Sequence, residues 1–149
     1  MINLKVTGSQ DILKRLRKVT NNVDEIAAES VYLTANLIKN TAVQSIQSIS
    51  VGETVRRPRQ GGGMRNHIAS SPGDAPNTDT GNLVKSISVQ PLQPKKTMTV
   101  GVNAKYGAAL EFGVRSNNLE ARPFMQPAIE ENKDALDRFL AEKLKALLA

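Results

Sequence analysis

Chemistry in this chain would have to come from a short set of residues. His67 is the only histidine and there is no cysteine. Thiol nucleophiles, disulfide frameworks and thiolate zinc sites are therefore excluded together. A single imidazole with no cysteine or acidic cluster at ligand spacing does not make a metal site. Gly61–Gly62–Gly63–Met64–Arg65 lacks the Gly, four residues, Gly-Lys-Ser/Thr pattern of a phosphate cradle, and nothing helical follows it. Asp74, Asp79, Glu111 and Glu120 are carboxylates whose spacing sets no two of them across a cleft, so general acid-base work has no pair. The reading is of a non-enzyme without cofactor or metal.

One polar feature remains. Arg56, Arg57, Arg59 and Arg65 fall in a stretch from Thr54 to Gly73 that has no acidic residue, in a chain of net charge +6. Guanidinium forks pair with phosphate, and a cationic segment can neutralise several phosphates without reading base sequence. No aromatic residue is interleaved with them, so stacking on single-stranded bases is not expected. Three readings stay open for these arginines: DNA phosphates, an acidic protein surface, or an unengaged loop.

The elements that must position such residues follow from periodicity. "INLKVT", residues 2–7, alternates as a short strand. Ser9 starts a helix with Ile12, Leu13, Leu16 and Val19 on one stripe. Asn22 and Glu25 have the spacing of a capping box, which predicts a second helix running about 27 residues with Ile26, Ser30, Leu33, Leu37, Ala42 and Ile46 inward. From residue 50 to 79 periodicity vanishes. Five glycines and three prolines there predict a flexible basic loop, of a length that is usually functional or ordered by a partner.

Beyond it, Thr80 and Gly81 form a turn or cap, and "KSISVQP" and "TMTVGVN" alternate as an antiparallel hairpin. Residues 104–112 carry Tyr106, Ala109, Leu110 and Phe112 at helical spacing, and Gly113 is placed to close that helix with positive φ. Pro123 extends Arg122, Phe124 is an apolar anchor, and Pro127 suits the first turn of a C-terminal helix over 126–148. The expected fold is one α+β domain over 1–149: a small antiparallel sheet, made of the N-terminal strand plus the hairpin, covered by two long helices and a short one. No apolar run nears the roughly 20 residues of a membrane span and no secretory signal is evident, so a cytoplasmic site of synthesis is expected.

The segment "TGNLVKSI", the hairpin, "YGAALEFG", a polar loop, "ARPFMQPA" and a terminal amphipathic helix together resemble the tail-component, or tail-completion and neck, family of long-tailed bacteriophages. The resemblance covers roughly residues 72–140. It implies a structural virion protein of the head-tail junction, assembled in the host cytoplasm as a ring, first of all a hexamer, around the DNA channel. It implies as partners copies of the same chain and adjoining neck, tail terminator or tail tube proteins, with DNA phosphates in the channel as a further contact and no membrane. Under it, Tyr106, Leu110, Glu111, Phe112, Gly113, Arg122, Pro123 and Phe124 form a folding and interaction element in which Tyr106, Leu110 and Phe112 pack the short helix on the sheet, and Glu111 pairs with Arg122. Plain core packing with surface charge is the other reading of those eight residues. The alternative function is a DNA-binding protein that uses the arginine-rich loop on the phosphate backbone.

Overall fold

The computed structural model describes residues 9–59, 61–92 and 97–148. The strand expected at residues 2–7 lies outside them. The chain is α+β, with the order α1 (Ser9–Gln47), β1 (Thr54–Pro58), β2 (Met64–Ile68), α2 (Asn82–Ser86), β3 (Ile87–Leu92), β4 (Thr97–Val102), α3 (Gly107–Phe112), α4 (Met125–Glu131) and α5 (Ala135–Leu148).

The two expected N-terminal helices are one helix of 39 residues, about 58 Å long at 1.5 Å per residue. No glycine or proline lies within it, and Asn22 does not cap. Thr20 instead returns its Oγ1 to the Arg17 carbonyl at 3.0 Å, the back-bonding by which a hydroxyl is accommodated inside a helix. Ala35, Ala42 and Ile46 are buried along one stripe, whereas Val19, Val23 and Tyr32 are exposed.

β3 and β4 pair antiparallel, with Ile87 opposite Val102 and Val89 opposite Val100. Directly opposed residues share a face, and this face packs on α1: Ile87, Leu83, Ala42, Ile46, Phe124 and Ala128 form the buried core, with Val100 and Val102 at its border. α4 and α5 pack along α1 as well.

The C-terminal helix expected over 126–148 is two helices. The chain turns at Asn132, which is buried and donates its Nδ2 both to Thr41 Oγ1 (3.0 Å) and to the Ala128 carbonyl (2.8 Å). A buried amide needs such partners, and satisfying them interrupts the helix. Lys143 Nζ meets Glu29 Oε1 at 2.7 Å farther along the α1–α5 seam.

Residues 50–79, expected to be an irregular loop, contain a two-stranded antiparallel ribbon, β1 with β2, in register Thr54 with Ile68 through Pro58 with Met64. It forms a second small sheet, separate from β3–β4. Its tip is Gly61, Gly62 and Gly63, all at positive φ, and Arg59 N–H donates to the Gly63 carbonyl across the turn (3.0 Å).

Candidate functional site

The expected element at 106–124 is a corner built around one carboxylate. Glu111, on α3, accepts three backbone N–H groups at the start of α4: Phe124 (2.9 Å) and Met125 (3.0 Å) on Oε2, and Gln126 (2.8 Å) on Oε1. The first N–H groups of a helix have no partner within it, and an ionised acceptor makes the stronger kind of hydrogen bond with them. Glu111 thus caps a helix that begins fourteen residues away.

This corrects the expected Glu111–Arg122 pairing. The carboxylate is spent on backbone donors, and Arg122 turns elsewhere: its Nε donates to the Ser70 carbonyl (3.2 Å) and its Nη1 to the Glu120 carbonyl (3.2 Å). The Arg122 backbone N–H also donates to the Leu110 carbonyl (2.7 Å). One arginine therefore ties α3, the 119–121 segment and the end of the ribbon together.

Gly113 closes α3 at φ 71, as its position predicts. A Cβ there would lie 2.7 Å from the Leu119 carbonyl oxygen and 2.9 Å from the Ala121 nitrogen, so side-chain strain and crowding both require glycine. From it the chain makes a tight excursion: Val114 and Leu119 form an isolated antiparallel bridge around a 3-10 turn at Arg115–Asn117.

The eight residues divide into an inner and an outer set. Phe124 is 1% exposed in the core, and Leu110 packs at the core's edge. Pro123, Arg122, Glu111 and Gly113 are half-buried. Tyr106 is exposed, and Phe112 is 80% exposed. The expectation that Tyr106 and Phe112 pack α3 onto the sheet is therefore overturned: neither joins the core, where Leu110 alone of the three packs, and Phe112, at the last position of α3, points outward next to the bridge residues Val114 and Leu119, which line an open pocket with it.

The four arginines are likewise not equivalent. Arg65 forms an ion pair with Asp79, whose carboxylate also lies 3.7 Å from His67 Nδ1. Arg56, Arg57 and Arg59 are exposed. The ribbon is held at its base by Ala69 N–H to the Glu53 carbonyl (2.8 Å), by Asn77 Nδ2 to the Ile68 carbonyl (3.0 Å) and by Ser71 Oγ to the Val51 carbonyl (2.8 Å). Beneath it runs an open groove of about 600 Å³, bordered by His67, Asp79, Leu83, Tyr106, Leu110 and Arg122. Asp79 is the one carboxylate among the residues that border this groove.

Among the described residues no group of three His, Asp or Glu side chains is placed to hold a metal ion, and no helix is long and apolar enough to cross a membrane. No protein family, curated protein or solved structure matches the chain.

Proposed function

We propose that this protein is a structural component of the head-tail junction of a long-tailed bacteriophage, a neck or tail-completion protein whose subunits close into a ring around the DNA channel. The reading rests on the sequence resemblance, and the observation that carries it is the outward Phe112 on a corner fixed from within by Glu111, Gly113 and Phe124. A large aromatic side chain presented to solvent from a fixed backbone corner is the kind of anchor that contributes most at a subunit contact.

The surface as a whole supports the same reading. A protein with Val19, Val23, Tyr32, Tyr106 and Phe112 open to solvent suits burial against other subunits. The contact is of the head-to-tail kind, which closes into a ring when its rotation permits.

Electron microscopy of the purified protein, alone and with the virion proteins encoded beside it, tests the proposal. Closed rings, six-fold by the resemblance, are the expected result. Monomers under every combination would overturn it.

A further inference from the structure

We infer that the β1–β2 ribbon is a binding arm for duplex DNA that engages the phosphate backbone through Arg56, Arg57 and Arg59. The inference concerns each subunit by itself and does not rest on the ring proposed above.

Charge distribution is the first ground. From Thr54 to Ile68 there are four arginines and no acidic residue. Arg65 is taken up by Asp79, which fixes the ribbon to the body. No ion pair or side-chain hydrogen bond among the described residues engages the other three guanidinium groups. Three exposed cations along one strand of the arm, without a partner among the described residues, are a footprint for an anionic ligand.

Geometry narrows the ligand. Successive side chains on a strand point to opposite faces, so Arg56 and Arg57 leave the ribbon on opposite sides. In the register, Arg56 is opposite Asn66, and Arg57 is opposite Arg65. The major groove of DNA, about 12 Å wide, admits a two-stranded β-ribbon and has phosphates along both walls. Arg57 shares its face with Arg65 and borders the groove against the body, whereas Arg56, beside Asn66, is on the outward face, so the outward face and the edge of the ribbon are what a phosphate backbone can meet.

The tip fits it too. Gly61, Gly62 and Gly63 have no side chains, and a Cβ added at any of them would meet nothing within 4 Å, so the backbone at the end of the arm can approach a ligand closely. The absence of aromatic residues on the ribbon disfavours stacking on single strands, which leaves the duplex. Phosphate contacts carry no base information, so binding through these arginines is expected to be indifferent to sequence.

The test is fluorescence anisotropy with the full chain and a labelled duplex of mixed sequence, across a salt series. Wild type should bind, with log affinity falling linearly in log salt. The triple variant Arg56→Gln, Arg57→Gln, Arg59→Gln should reduce the steepness of that line by about 2.7, at about 0.9 per phosphate contact. It should keep the wild-type Tm, because the three side chains are exposed and unpartnered. A control that removes three cations elsewhere, Lys85→Gln, Lys105→Gln, Lys133→Gln, should leave the steepness unchanged. Equal loss in both variants would show that net charge alone acts and would overturn the inference. So would an unchanged slope in the arginine variant, or binding of poly-glutamate as tight as that of the duplex, which would assign the arm to an acidic protein surface.

Discussion

The side chain of Glu111 and the backbone N–H of Phe124 are joined by a hydrogen bond of 2.9 Å. The same carboxylate holds the next two N–H groups of α4. The start of α4 is thus set by α3, and the orientation of the exposed Phe112 is set by the residue before it.

Replacing Glu111 tests that dependence. Glu111→Ala leaves three helix-start N–H groups without their acceptor and should lower stability by about 2 kcal/mol, as the loss of a strong N-cap does. Glu111→Gln keeps one acceptor oxygen but turns an NH2 donor toward one of the N–H groups, so it should cost about 1 kcal/mol rather than nothing. Urea unfolding followed by far-UV circular dichroism checks both; a Gln variant as stable as wild type would mean the capping bonds contribute little.

Gly113→Ala should destabilise more than Gly62→Ala. Both positions have positive φ, but only at Gly113 does a Cβ crowd backbone, at 2.7 Å from the Leu119 oxygen. Backbone strain costs of order 1–3 kcal/mol at such a site, and crowding adds to it at Gly113 alone. Thermal melts of the two variants should rank in that order.

Asn132→Ala removes the link between the α4–α5 turn and α1, and leaves Thr41 Oγ1 without its amide partner. The expected loss is about 1–3 kcal/mol. Lys143→Ala, at an exposed ion pair with Glu29, should change stability by less than about 1 kcal/mol. Measured in one denaturant series, comparable losses at both sites would contradict the assignment of Asn132 as the polar clasp of the helical layer.

What the sequence showed and what it concealed divide along physical lines. The β3–β4 hairpin was legible because one of its faces is buried, so Ile87, Val89, Val100 and Val102 alternate with polar residues. Gly113 was legible because a helix end needing positive φ selects glycine, and Phe124 because an apolar residue after Arg-Pro has one evident use. The β1–β2 ribbon was concealed for the opposite reason: "TVRRP" and "MRNHI" have solvent or groove on both faces, so no apolar period marks them. Asn22 and Glu25 offered a local cap that the continuing helix overrode, and the break at Asn132 depends on Thr41, 91 residues away. At the corner, opposite charge suggested Glu111 with Arg122, but backbone N–H groups without a partner are the nearer and stronger claim on a carboxylate.

The two phenylalanines of the corner should behave oppositely. Phe124→Ala empties a fully buried site and should cost about 3–5 kcal/mol. Phe112→Ala should leave unfolding of the monomer within about 0.5 kcal/mol of wild type, since its ring is 80% exposed. Chemical denaturation of each at low protein concentration distinguishes the inner residue from the outer one.

Sedimentation velocity of wild type and of Phe112→Asp over a range of protein concentrations tests self-assembly through this corner most directly. Wild type should move from monomer to a ring-sized species as concentration rises, alone or with its neighbouring virion proteins, while Phe112→Asp, equally folded, should stay monomeric. Wild type that never exceeds the mass of one chain, or a variant that assembles just as well, would contradict the account.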